Sequence, residues 1–344
     1  MTKNNNNKGL VVFIVLVVIV FLVTIFKLLI PTGESVQTVS TNTKTYARNP
    51  FSLFTKTPVT AKIPHMPGQK YIARLYIEGT IQEENATYNQ EWLLETVEEL
   101  ADDPFNMGII LDINSPGGTV YEADELYLAL LEYGKEKPVY AYFESMAASG
   151  GYYIACAAKE IVANRNTLTG SIGVIAGQSL DLTGLMEKYG VKSETIHAGK
   201  NKNMGNYNEP MTDEQRAILQ SIADECYEQF TGIVADARKM SIEKVQELAD
   251  GRAYTAKQAL SAGLVDSIGT FDGAVTLMQQ NEFEGKEYFV EDYKYERDFN
   301  IYDYLYGISS KIAPGKAESI TGLPETIEKI IDPEVKYPAF IYEQ

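Results

Sequence analysis

The stretch MGIILDIN at residues 107–114 is a continuous apolar run rich in isoleucine. Such a run reads as a strand buried on both faces, the kind found in parallel sheets covered by helices on either side. Strand-like and helix-like segments alternate around it. A short strand starts at KYIARLYIEGTI, with Ile72, Leu75 and Ile77, and NQEWLLETVEELADD then carries Trp92, Leu93, Val97 and Leu100 at helical spacing. A helix around YEADELYLALLEY follows the Ile-rich run, and then a strand at PVYAYFE. The stretch ESMAASGGYYIACAAKEIV (144–162) reads as a small-residue start running on as an apolar helix. Next come the short apolar segments EIVA and SIGVIAG, a helix near LTGLMEKYG and a strand at VKSETIHAG. This alternation predicts an α/β fold with a largely parallel sheet.

Helix starts are marked by local chemistry. Thr212 with Gln215 forms a capping box that opens a long helix, whose stripe of Ile218, Leu219, Ile222, Cys226, Phe230 and Val234 is apolar on one side. A second box, Thr255 with Gln258, opens AKQALSAG, and LVDSIG closes the module. The last sixty residues are Tyr-rich and irregular, and no role is legible in them.

One segment departs from this globular pattern. From Leu10 to Phe26 there is no charge and a single hydroxyl, Thr24. About 20 apolar residues span a bilayer core of roughly 30 Å, and Lys27 can snorkel to the interface. A cleaved signal peptide would have a shorter apolar region ending in small residues, which PTGESVQTVS does not offer. The expectation is an uncleaved anchor over 9–30. Lys3 and Lys8 put the short tail 1–8 in the cytoplasm and the bulk of the chain outside, in a single-pass cell-membrane protein. Residues 31–68, rich in Thr, Ser, Asn, Pro and Lys, read as a stalk. The folded domain is expected over 69–285, with an extension at 286–344. A formal net charge of −17 argues against nucleic acid, where basic contacts to phosphate dominate. The two cysteines, Cys156 and Cys226, read as small buried side chains, and no Cys/His cluster has metal-ligand spacing.

Two glycine-bearing turns fall at the ends of successive α/β units. NSPGGTV (114–120) follows one strand and the Ser149 stretch follows the next. Loops at the carboxyl ends of parallel strands are where α/β folds build their sites. Gly117 and Gly118 let backbone approach a ligand closely, and Gly150 offers a donor beside Ser149 at a helix start. A serine, a glycine edge and free N–H groups suit acyl transfer through an oxyanion hole. The serine needs a base. His197 reads better as a strand histidine, and Lys200 and Lys202 of AGKNKNMG follow a strand end. A lysine serves if its pKa falls from about 10.4 toward about 7.

NSPGG, SMAASGGYYIA, TLTGSIGV, AGKNK and GRAYTAKQALSAGLVDSIG, at this spacing, resemble the signal peptide peptidase A family in its short, single-module form; the similarity covers about residues 70–280. The resemblance implies a Clp/crotonase-like fold of repeated β-β-α and βα units preceded by one transmembrane helix, and a Ser–Lys dyad needing no metal or cofactor. Ser149 would be the nucleophile and Lys202, at the Gly-x-x-Lys position from Gly199, the general base. Ser171 of TLTGS would orient the lysine, and Gly117, Gly118 and Gly150 would supply the oxyanion donors. Where related Clp proteases carry their histidine, this chain has Thr-Gly-Ser around Ser171. The implied substrates are remnant signal peptides, other extended apolar peptides and flexible protein tails, handled by a homo-oligomeric ring or dome. Two rivals share the fold. A crotonase-type acyl-CoA enzyme needs neither nucleophile nor anchor, and a non-enzymatic membrane scaffold would not need the full set of groups.

Overall fold

The computed structural model describes residues 68–297 and 339–341. The expected cytoplasmic tail, the anchor and almost all of the stalk lie outside the described residues. No helix among the described residues is long and apolar enough to cross a membrane.

The elements follow as β1 (Tyr71–Glu78), α1 (Gln90–Asp102), β2 (Asn106–Ser115), β3 (Gly117–Thr119), α2 (Val120–Tyr133), β4 (Val139–Ala148), α3 (Gly150–Ala155), β5 (Glu160–Ala163) and β6 (Leu168–Gly170). After these come α4 (Thr183–Tyr189), α5 (Asp213–Arg238), α6 (Ile242–Leu248), β7 (Ala253–Thr255), α7 (Ala256–Ala262), β8 (Ser267–Ile268), α8 (Phe271–Phe283) and β9 (Phe289–Tyr293). A last strand, β10 (Ala339–Ile341), lies near the C-terminus.

The main sheet runs β7-β6-β4-β2-β1-β9, with β5 on β4 and β8 on β5. Its pairings are parallel except for β7, which lies antiparallel on β6. The α/β alternation read from the sequence is therefore the observed architecture. β4 serves two partners in turn: Tyr140 to Phe143 pair with β5, and Met146 to Ala148 pair with β6. Thr167 bridges the handover, its hydroxyl donating to the carbonyls of Phe143 (3.1 Å) and Glu144 (2.6 Å).

Side chains alternate across the sheet. Ile109, Leu111 and Ile113 of β2 join the large core made with α1, α2 and α3, while Ile110 faces the smaller core formed with Ala274 and Met278 of α8. Asp112 shares that second face. Its buried carboxylate takes a 2.6 Å hydrogen bond from Arg74 Nε, and the guanidinium lies 3.9 Å from the Phe271 ring centroid. Burial pushes the Asp112 carboxyl up to about 6, and Arg74 offsets this only in part.

Three expectations need correction. The stretch 144–162 is not one helix: β4 runs on to Ala148, and the helix is only Gly150–Ala155. Ala147 and Ala148 are drawn into the ladder by β6, a tertiary pairing that small residues do not advertise. No strand forms at VKSETIHAG (191–199), and His197 is exposed, with Nδ1 3.0 Å from the Gly199 carbonyl oxygen. Finally, the apolar stripe of α5 is covered only toward its C-terminal half: Phe230 and Val234 are buried, whereas Ile222 is exposed. The capping boxes at Thr212 and Thr255 both form. Both cysteines are free thiols. The sheet also continues past residue 285, because β9 pairs with β1.

Candidate active site

β4 ends at Ala148 and α3 begins at Gly150, so the chain must reverse within one residue. Ser149 makes that turn, with φ 53° and ψ −115°. A left-handed φ on a non-glycine residue costs on the order of 1–3 kcal/mol, and such strain tends to be kept at functional sites. The Ser149 N–H donates to the Gly170 carbonyl at 2.8 Å, which fixes the turn to the end of β6. Its Oγ is buried and has no hydrogen-bond partner among the described residues.

The neighbouring strand end carries the second predicted hydroxyl. Ala148 is in register with Gly170, so Ser171 emerges beside Ser149. Ser171 is also buried and left-handed, at φ 49°. Its N–H donates to the Arg252 carbonyl at 2.9 Å. Two strained serines thus stand side by side at the carboxyl edge of the sheet.

The glycine turn closes the other side. Ser115 pairs with Ala147, and a Cβ on Gly151 would lie 3.2 Å from the Ser115 carbonyl oxygen, so β2 and α3 touch through backbone. At Gly118 a Cβ would lie 1.8 Å from the Ile81 carbonyl oxygen, which excludes any side chain there. The two turn glycines are not equivalent. The Gly117 N–H donates to Ser115 Oγ at 3.1 Å, and Ser115 Oγ donates in turn to the Gly79 carbonyl at 2.6 Å. The Gly117 carbonyl accepts from Ile81 N–H, and Thr119 N–H donates to the Ile81 carbonyl, both at 2.9 Å. Strand alternation therefore directs the Gly118 N–H and C=O to the opposite, outer edge. Ser115 was passed over in the sequence as a structural element. Its position two residues before Gly117 is the signal that reveals it, since serine hydroxyls hydrogen-bond the backbone two residues on.

Ser149, Ser171, Gly117, Gly118 and Gly150 come together in one chain; Lys202 does not join them. It is exposed, in the turn following Gly199, where its N–H donates to the Gly199 carbonyl at 3.1 Å. Lys200 is also exposed and ion-pairs with Glu214. Among the described residues, no group of three or more His, Cys, Asp and Glu side chains is placed to hold a metal ion.

The profile of peptidase family S49 matches residues 132–283, from the end of α2 to the end of α8. A Synechocystis sp. protein named as a protease is 38% identical over 206 residues, covering 60% of this chain and 72% of its own length. The chain belongs to peptidase family S49. An Enterococcus faecium protein named as signal peptide peptidase SppA is 35% identical over 221 residues, covering 62% of this chain and 64% of its own length. The chloroplastic serine protease SPPA of Arabidopsis thaliana is 34% identical over 205 residues, covering 59% of this chain and 30% of its own length. This S49 chain is thus a signal peptide peptidase A-like protease of the serine type. The matched region contains Ser149, Ser171 and Lys202 and leaves out the glycine turn at 117–118.

Proposed function

We propose that the protein is a membrane-anchored serine endopeptidase of Clp/crotonase-like fold that cleaves remnant signal peptides and other extended apolar peptides. The observation that carries this reading is Ser149: a buried hydroxyl with no hydrogen-bond partner among the described residues, on a left-handed residue at a strand end. In the reaction, Ser149 Oγ gives its proton to a neutral Lys202 Nζ as Oγ bonds to the peptide carbonyl carbon. The oxyanion is held by the N–H groups of Gly118 and Gly150. Lysine then returns the proton to the leaving amine as the C–N bond breaks, and water activated by the same lysine hydrolyses the acyl-enzyme. Ser171, beside Ser149, orients the lysine. Gly117 is set aside as a donor, since its N–H is engaged by Ser115.

The base reaches the serine from a neighbouring copy in a homo-oligomeric ring or dome. Two observations support this. Ser149 Oγ has no hydrogen-bond partner among the described residues, and the segment bearing Lys202 is exposed together with Leu185, Tyr189, Val191 and Ile196, the last 94% exposed. The apolar run 9–30 behind Lys3 and Lys8 supports a single-pass anchor with the catalytic domain outside the cell, the stalk at 31–68 lifting it from the surface. A fluorophosphonate probe tests the reading. It should label the wild type at Ser149 and leave Ser149→Ala unlabelled; labelling at another serine overturns the assignment.

A further inference from the structure

We propose that Tyr153 is a positioning residue for Ser149: its phenol clamps the short helix behind the serine to α2 and α5. The inference rests on the peptidase reading for its effect on rate, and on hydrogen-bond geometry for the clamp itself.

α3 spans only six residues, Gly150–Ala155. A helix that short cannot hold itself in water, so its orientation comes from tertiary anchors. Tyr153 N–H donates to the Ser149 carbonyl at 2.9 Å, which ties the residue directly to the strained turn. Its side chain is fully buried. The hydroxyl donates to Asp124 Oδ1 of α2 at 2.5 Å and accepts from Gln229 Nε2 of α5 at 2.7 Å. The ring packs edge-on against Tyr127 of α2, with centroids 5.4 Å apart, and its centroid lies 5.0 Å from that of Phe230 in α5.

The positions of these two helices give the contact its meaning. α2 begins directly after the glycine strand β3, and α5 begins after the exposed segment bearing Lys202. One phenol therefore joins the serine's helix to the helices leading from the other two parts of the proposed site. A left-handed turn at Ser149 is strained and is stabilised by rotating toward an ordinary φ. Such a rotation would carry α3 with it, and the clamp opposes it. Burial, and then the bond to Asp124, push the Tyr153 phenol up, so it remains a donor at any working pH. Its partners reach solvent: Gln229 is exposed and Asp124 half-buried. Loss of the hydroxyl strands neither of them, so alignment should suffer more than stability.

The test is Tyr153→Phe in the full-length chain, which keeps the ring and removes the hydroxyl. Misplacement of the nucleophile should lower kcat toward a fluorogenic apolar peptide about tenfold, with KM unchanged. Fluorophosphonate labelling of Ser149 should slow by the same factor, while the thermal midpoint falls by less than about 4 °C. Asp124→Ala should show the same split, and the double variant should be no slower than Tyr153→Phe alone. Hydrogen exchange at the α3 amides should quicken about tenfold in Tyr153→Phe, with those of β2 staying protected. Unchanged kcat or unchanged α3 exchange overturns the proposal, as does a kcat loss matched by loss of folded protein. Quickened α3 exchange in a chain whose every form is inert keeps the clamp and sinks the peptidase reading.

Discussion

The proposed nucleophile and its proposed base lie in regions built on opposite plans. Ser149 ends a central strand of a parallel sheet, with its φ, its N–H partner and its neighbours all set by buried backbone. Lys202 sits in a segment where α4 has no buried residue and where Leu185, Tyr189, Val191 and Ile196 are exposed. What ties that segment together is mostly local and polar: Leu182 N–H to the Tyr207 carbonyl at 2.9 Å, and Asn208 Nδ2 to Thr195 Oγ1 at 3.0 Å. A preorganised nucleophile has to be held rigidly before substrate arrives. A base that must meet it from elsewhere needs reach, and exposed apolar surface of this kind marks a site for another protein surface. The contrast is the one that the proposed assembly would account for: under that proposal the serine's half of the chemistry is built within the chain, and the lysine's half is supplied by a neighbouring copy.

The largest expected effect falls on both regions equally. Ser149→Ala and Lys202→Ala should each lower peptide hydrolysis by about 10⁴-fold or more. Lys202→Arg should be as inactive as Lys202→Ala, because a guanidinium stays charged and cannot accept the serine proton. Mixing the two inactive variants then separates the regions. If the segment 175–211 works across copies, co-assembled Ser149→Ala and Lys202→Ala chains regain a measurable part of wild-type activity. Mixtures that stay inert under conditions where the chains exchange would place both groups in one chain.

A smaller loss is expected at Ser171. Ser171 follows Gly170, which is in register with Ala148, and under the proposal it exchanges no proton with substrate, so Ser171→Ala should reduce kcat by roughly 10² while fluorophosphonate labelling of Ser149 persists. Unchanged kinetics would remove Ser171 from the site and confine the machinery to Ser149 and the glycine edge.

Much of the body was legible because its signals are local or strictly periodic. The aliphatic run at 107–114, the helical spacing of Trp92, Leu93, Val97 and Leu100, and the capping boxes at Thr212 and Thr255 all report their own backbone. The strand at Ala147 and Ala148 was hidden, since alanine carries no period and the pairing partner, β6, lies twenty residues away. VKSETIHAG failed in the other direction: its alternation satisfies a strand pattern, but among the described residues no strand pairs with it. The serine–glycine half of the candidate site was pointed to by the rule that sites form at strand carboxyl ends, and its proposed roles came from the family resemblance. Lys202 came only from family resemblance, because an exposed turn lysine has nothing local to distinguish it. The role of Ser115 in occupying the Gly117 N–H needed the fold, as did β10, whose partner lies more than two hundred residues upstream.

The body's own weak point gives a stability prediction. Asp112 has its carboxyl raised to about 6 by burial, above an unfolded value of about 3.9. A raised folded value means the proton binds more tightly in the native state. The stabilisation it brings is complete below about pH 4 and is lost as pH rises through about 6. Relative to Asp112→Asn, the wild type should gain about 1 kcal/mol on going from pH 7 to pH 5. Urea unfolding at the two pH values checks this. A parallel response of both proteins would mean that Arg74 holds Asp112 ionised throughout.

The smallest effect should come from Lys200, and it sharpens the comparison because Lys200 and Lys202 sit two residues apart in the same exposed turn. Lys200 already has a partner: its ammonium pairs with Glu214, near the start of α5, and both side chains are largely exposed. An exposed ion pair contributes about 0–1 kcal/mol and is screened by salt, so removing it barely changes stability. Lys200→Ala should therefore keep most of the wild-type kcat, with any loss appearing in KM through a loosened turn. The same substitution tests how the segment works. If Lys200→Ala is inert and Lys202→Ala active, the base moves by two residues, and the Glu214 pair becomes a latch that must open before the segment can reach a neighbour's Ser149.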